Sequence, residues 1–223
     1  MSCQNRVIVV IPVLDEEPTI ASLVRAILAM GLPVVVVNDT SGDRSAAIAR
    51  EAGARVLDLP WHMGAWGAAQ TGICLGLREG YGRIITIDGD GQHNPQDITR
   101  LLAPLSTDEA DIVIGSFTER GSAARRIAWR FFRTLTGLKT KDFTSGYRAY
   151  SRKAAHCLLD AEATLVDYQD LGVLLAARRH GLRIIEIPVD MRQRGAGKSH
   201  IFSSWLKVTQ YLVYTFAIAC TRR

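Results

Sequence analysis

Cysteine is sparse and scattered in this sequence: Cys3, Cys74, Cys157 and Cys220 form no CxxC pair and no dense disulfide spacing. Such usage excludes a stapled secreted module and reads as reduced thiols of a cytosolic protein. Aromatic residues make up only 7% of the chain, and it contains neither a helix-turn-helix nor an RNP-type run. Both absences argue against a nucleic-acid partner. No apolar run reaches the roughly 20 residues that a bilayer span needs; the nearest, Tyr211 to Cys220, is half that. The first apolar run, Arg6 to Pro12, is short and cut by proline, so it reads as a strand rather than a secretory signal. No Gly-x-Gly-x-x-Gly follows it, which removes the dinucleotide-dependent oxidoreductases. Internal repeats and low-complexity linkers are missing as well.

What remains is a chain of 223 residues, 48% hydrophobic, long enough to bury a substantial core in one domain. Its formal charge of +5 suits an anionic partner such as a nucleotide or a phospholipid surface. Strand-like and helix-like segments alternate. Residues 6–12 and 33–37 are continuous β-branched runs, as expected of strands buried on both faces. Between them Ile20, Leu23, Val24, Ile27 and Leu28 recur at helical spacing, and Gly31 stops the run. The same grammar gives helices over 45–52, 65–79, 95–105, 123–135 and 171–180, and strands over 54–59, 83–88, 111–116 and 183–188. This order predicts an α/β fold, a doubly wound and mostly parallel sheet flanked by helices.

In such folds ligands gather beyond the carboxyl ends of the strands. Here those ends carry Asp15 and Glu16, then Asn38 and Asp39, then Asp88-Gly-Asp90 followed by Gly91 and Gln92. A strand running into two carboxylates two residues apart, with an amide oxygen close behind, is suited to a hard divalent cation that also grips phosphate. A solvated acidic turn is the plainer alternative for any one cluster. Three clusters on one rim would repel one another, and a cation with a polar ligand among them relieves that.

Together these motifs resemble family-2 glycosyltransferases of the GT-A fold, most closely the polyprenyl-phosphate sugar synthases, the dolichyl-phosphate mannose synthases among them. The matching pieces are Val10-Ile-Pro-Val-Leu-Asp-Glu-Glu17, Val37-Asn-Asp-Thr40, Gly64-Ala-Trp-Gly-Ala68, Asp88-Gly-Asp-Gly-Gln92, Ile114-Gly-Ser116, Thr144-Ser-Gly-Tyr-Arg-Ala149 and Ile185-Glu-Ile-Pro-Val189. The resemblance implies a Rossmann-like nucleotide-binding half and a single GT-A-like domain over residues 1–200. It implies a nucleoside-diphosphate sugar donor, GDP-mannose or UDP-glucose, held through Mg²⁺ or Mn²⁺ on Asp88, Asp90 and Gln92. Pro12, Leu14 and Glu16 would line the nucleoside pocket, Asp39 would bond the base, and Gly64 and Gly67 would admit backbone close to the nucleotide. Asn38 replaces a usual carboxylate, and Trp66 stands either where the family often has Lys or simply in the core.

The resemblance also extends to the acceptor. Arg126 and Arg130 match positions that clamp a lipid phosphate, for which guanidinium forks are suited. Arg194, in the Gly-containing loop that ends at His200, would face the departing diphosphate. The implied reaction is inverting transfer of a hexose to a polyprenyl phosphate. A hydroxyl acceptor is the alternative and would need a base, with Asp142 and Asp170 as candidates; a non-catalytic nucleotide-sugar sensor is the other. Residues 201–223 read as an amphipathic helix that is not transmembrane. It would lie at a lipid interface, pack on the domain, or pair with another subunit. The expectation is a cytoplasmic protein, peripheral at the inner face of the membrane.

Overall fold

Continuous valine and isoleucine runs form the middle of the sheet in the computed structural model, which describes residues 6–117, 134, 140–142, 144–159 and 171–192. The strands are β1 (Val7–Val13), β2 (Val34–Asn38), β3 (Arg55–Asp58), β4 (Arg83–Thr86), β5 (Ile112–Ser116), β6 (Arg148–Ser151) and β7 (Ile184–Pro188). They form one sheet in the order β3-β2-β1-β4-β6-β5-β7. The helices are α1 (Glu17–Ala29), α2 (Ser45–Glu51), α3 (Gly64–Arg78), α4 (Ile98–Ser106), α5 (Arg152–Cys157) and α6 (Leu171–Arg179). A short 3-10 turn, Pro95–Asp97, leads into α4, and the Asn94 side chain accepts from the Gln96 amide at its start.

Because successive strand residues point to opposite faces, the β-branched runs feed two separate cores. On one face Val10, Val35, Ile84 and Ile114 meet Trp66, Ala69 and Ile73 of α3 and Ala154 of α5. On the other, Val9, Ile11, Val36 and Ile85 meet Ile20, Val24 and Ile27 of α1 and Leu101 of α4. Each such side chain contributes about 1.5–3 kcal/mol when fully buried. Helix α3 lies closely on β1 because Gly72 has no side chain: a Cβ there would stand 2.2 Å from Val10 Cγ1.

The expected mostly parallel sheet is present, and it includes β6, a strand outside the expected series. Strand β6 runs antiparallel between β4 and β5, whereas β1–β2, β1–β4, β2–β3 and β5–β7 are parallel. Its reversed direction has a consequence for the site. The start of β6 lies at the rim where β4 and β5 end, so the Ser145-Gly146-Tyr147 approach enters there. Thr86 Oγ1 donates to the Gly146 carbonyl at 2.8 Å, and Ser145 Oγ donates to the Gly115 carbonyl at 2.6 Å.

Candidate active site

Two loops at the ends of β1 and β2 are laced together. The Gly42 amide donates to Asp15 Oδ1 at 2.7 Å, and the Glu16 amide donates to Ser45 Oγ at 2.8 Å. The Glu17 amide donates to Asp43 Oδ2, while Glu17 Oε2 accepts from the Arg44 amide. Asp15 and Thr40 have positive φ, at 55° and 64°. That backbone region is strained for a β-branched residue such as Thr40, and strain of this kind gathers at functional sites. Pro12, Leu14 and Glu16 are half-buried along this edge.

Asp39, at the end of β2, is only 2% exposed. Its Oδ1 accepts from the Met63 amide at 2.7 Å, and its Oδ2 lies 2.9 Å from His62 Nδ1. The carboxylate thus pins the turn before α3. Asn38 is used likewise: its amide donates to Asp58 Oδ1 at 2.8 Å and its oxygen accepts from the Ser41 amide. His62 was not singled out as a site residue from sequence, because its partner is 23 positions earlier; exposed Trp61 and Met63 flank it.

The Asp88-Gly-Asp90 turn packs on the β1 loop. A Cβ on Gly89 would lie 3.4 Å from the Pro12 carbonyl and 3.5 Å from Glu16 Cγ. Thr19 Oγ1 donates to the Gly89 carbonyl at 2.7 Å and also reaches the Glu16 carbonyl at 3.2 Å. Asp88, Asp90 and Glu16 therefore share one rim. Asp90 Oδ1 accepts from the Gln92 amide at 3.1 Å. The Gln92 side-chain nitrogen donates to the Arg192 carbonyl, and the Arg192 amide donates back to the Gln92 carbonyl. This tether leaves Gln92 Oε1 buried without a hydrogen-bond partner.

That orphaned acceptor is the observation against which a cation can be tested. Buried polar oxygens without partners are uncommon and costly, and amide and carboxylate oxygens are hard donors. No cluster of three or more His, Cys, Asp or Glu suited to a metal occurs among the described residues. Asp88, Asp90 and Gln92 supply two carboxylates and one amide oxygen, donors of the kind a hard divalent cation takes.

The loop before β6 is fixed by its own carboxylates. Asp142 is buried; its Oδ1 accepts from the Thr144 amide and hydroxyl at 3.0 and 3.1 Å, and its Oδ2 accepts from the Phe117 amide at 3.3 Å. Glu186 on β7 accepts from the Lys141 and Asp142 amides at 2.7 and 2.8 Å. Burial pushes the Glu186 carboxyl above its ordinary value, against those two amides. Tyr147 is buried, which together with the charge of Asp97 keeps its phenol protonated, and its hydroxyl donates to the Asn94 carbonyl at 3.1 Å.

Gly64 opens α3 with φ 76°, and the space beside Gly67 is taken by Met63, whose Cβ would be 2.8 Å from an added one. Trp66 is fully buried in the core, which settles its alternatives in favour of packing. Arg126, Arg130, Asp170, Arg194 and the stretch 201–223 lie outside the described residues. Gly146 and His93, which flank Asp88, were missed as site residues because only the β4–β6 pairing brings the first of them there.

Residues 8–159 match the family described as Glycosyl transferase family 2. The chain is 27% identical to a polyprenol monophosphomannose synthase of Mycolicibacterium smegmatis, over 96% of this chain and 88% of the relative. It is 31% identical to an undecaprenyl-phosphate mannosyltransferase of Micrococcus luteus, over 87% and 86% of the two chains. Among solved structures it resembles glucosyl-3-phosphoglycerate synthase from Mycobacterium tuberculosis in complex with Mn²⁺, uridine diphosphate and phosphoglyceric acid. That likeness has a TM-score of 0.76 at 22% identity and covers 97% of this chain and 78% of the other.

Proposed function

Since the chain belongs to glycosyl transferase family 2, we propose that it transfers a hexose from a nucleoside-diphosphate sugar to a polyprenyl phosphate, with inversion at the anomeric carbon. The observation that carries the donor half is the shared rim: the Asp88-Gly-Asp90 turn packs through Gly89 on the Pro12–Glu16 loop, and the nearby Gln92 has a buried Oε1 with no hydrogen-bond partner. The acceptor half rests on the relatives named for polyprenol and undecaprenyl phosphate.

In this reading Asp88, Asp90 and Gln92 hold a divalent cation, Mg²⁺ or Mn²⁺. Such an ion neutralises charge on the departing diphosphate. Glu16 accepts from ribose hydroxyls, and Pro12 and Leu14 give the nucleoside an apolar wall. Asp39 bonds the base from the turn that it also fixes through Met63 and His62; GDP-mannose and UDP-glucose are the donors we favour. Arg194 faces the diphosphate, and Arg126 and Arg130 hold the acceptor phosphate. A phosphate monoester is already anionic near neutral pH, so positioning and charge neutralisation supply most of the acceleration without a strong base. Asp142 fits this assignment, since its two oxygens already accept from the Thr144 and Phe117 amides. It acts by holding the Thr144–Gly146 approach in place.

One panel tests the proposal: purified protein, labelled GDP-mannose and UDP-glucose, undecaprenyl or dolichyl phosphate, and phosphoglyceric acid as a soluble comparison acceptor. Label should move to the lipid phosphate and stop when EDTA is added. Equal transfer after EDTA would remove the cation, and transfer only to the soluble acceptor would remove the lipid. Nucleotide binding in calorimetry without transfer to any acceptor would leave a sensor in place of an enzyme.

A further inference from the structure

The imidazole of His93 has no stated task in the site described above, yet its setting is unusual. The residue is 4% exposed, and neither ring nitrogen has a hydrogen-bond partner. A buried polar group of this kind is destabilising unless something answers it. Its Nε2 lies 3.7 Å from Asp88 Oδ2, just beyond hydrogen-bond range. The ring cannot drift far. It stacks on Tyr147 with centroids 4.9 Å apart and planes tilted by 48°. Tyr147 is in turn tied by its hydroxyl to the Asn94 carbonyl, one residue after His93. The His93 backbone bridges Met191, beside the paired Gln92–Arg192 link.

Asp88 is thereby bracketed. The Gly146 backbone crowds the carboxylate, an added Cβ standing 2.1 Å from Oδ1 and 2.7 Å from both Cγ and Oδ2. On the Oδ2 side stands a fixed imidazole edge. We infer that His93 is a positioning residue: its Nε2–H closes onto Asp88 Oδ2 when the rim is loaded, and so holds the carboxylate in the orientation that grips the cation. The inference rests on the cation reading given above. Its physical basis is that ligating carboxylates are themselves hydrogen-bonded, and those outer partners set the affinity of the site. A donor on Asp88 also offsets the mutual repulsion of Asp88 and Asp90.

The test uses the full chain and Mn²⁺ alone as the probe, with free Mn²⁺ read by electron paramagnetic resonance. The variants are His93→Phe, which keeps the ring stacked on Tyr147 but removes both nitrogens, and His93→Gln, whose side-chain nitrogen reaches the position of Nε2. His93→Phe should weaken Mn²⁺ binding about 10- to 100-fold. Its melting temperature without Mn²⁺ should equal or exceed that of the parent, because two unanswered buried nitrogens are gone. His93→Gln should bring the affinity back to within a few-fold of the parent. Restoration by Gln is the readout that a packing role would not give.

Parental affinity in His93→Phe overturns the proposal, as does equal weakening in both folded variants. Should His93→Phe fail to fold, His93→Gln still decides: near-parental affinity sustains the proposal, and a loss matching that of Asp88→Asn overturns it. If the parent binds no Mn²⁺, or Asp88→Asn binds as well as the parent, the cation reading itself fails. That result is distinct from parental binding that is lost in Asp88→Asn and indifferent to His93.

Discussion

At Gly146 an added Cβ would come within 2.1 Å of Asp88 Oδ1 and 2.7 Å of its Cγ, separations that no methyl group can hold. The neighbour is a short side chain at a strand end, so it cannot swing away as a lysine tip could. Gly146→Ala should therefore turn the Asp88 carboxylate off its position. We expect at least a tenfold loss of Mn²⁺ affinity, measured by resonance titration, with a stability cost of about 1–3 kcal/mol in a denaturant melt. Unchanged Mn²⁺ affinity in a folded Gly146→Ala protein would show that Asp88 does not need its present place. The same residue-scale view separates the acidic positions that sequence alone had grouped. Asp39 meets the Met63 amide and the His62 ring, and Asp142 accepts from the Thr144 and Phe117 amides. Asp90 accepts from the amide of Gln92, a residue whose side-chain oxygen is buried without a hydrogen-bond partner.

Elements carry a second kind of argument, because the site depends on β5, β6 and β7 staying together. Asp111, just before β5, is buried and accepts from the Arg183 amide at 2.8 Å and from Arg183 Nε at 3.1 Å, just before β7. Burial raises the Asp111 carboxyl, but the Arg183 hydrogen bonds and the charge of Lys153 outweigh it and hold it below its ordinary value of 3.8. A depressed carboxyl adds stability above pH 3.8 that is lost as pH falls through its folded value. Asp111→Asn should cost about 1–2 kcal/mol at neutral pH, a figure kept low because the Arg183 side chain is half exposed. The variant should also lack part of the acid limb. Chemical melts at pH 7 and pH 3 check both: the gap between parent and variant should narrow at the lower pH.

The strands that sequence made legible are those whose own residues dictate burial, such as Val34–Asn38 and Ile112–Ser116. Strand β6 was not legible, because Arg-Ala-Tyr-Ser is too short to show a period and carries a charged residue that ends up fully buried. Its strand character comes from the partners on either side. The site divides in the same way. Asp88, Asp90 and Gln92 stood out because their spacing is local, whereas the contacts of Gly146 with Asp88 and of His62 with Asp39 exist only after the chain has folded.

At the scale of the whole molecule the remaining question is how a chain without a membrane-crossing helix among its described residues would reach a lipid acceptor. The formal charge of +5 gives a first answer, since each Lys or Arg near an anionic surface contributes about 1 kcal/mol. Arg120, Arg125, Arg126, Arg130 and Arg133 are concentrated in one stretch of the sequence, and Arg222 and Arg223 close the chain. We therefore expect the protein to sediment with vesicles containing phosphatidylglycerol and to stay in solution with pure phosphatidylcholine. The binding should fall steeply between 0.1 and 0.5 M salt, estimates set by a screening length of about 10 Å at the lower value. Arg126→Glu with Arg130→Glu should raise KM for a polyprenyl phosphate while leaving Mn²⁺ and nucleotide binding unchanged, because neither arginine is among the residues proposed to hold the donor. Equal binding to neutral vesicles in high salt would instead assign the attachment to apolar insertion, with the amphipathic stretch 201–223 as the segment to remove next. Failure to bind any vesicle, with transfer to a soluble acceptor intact, would detach the enzyme from membranes and leave the donor site standing.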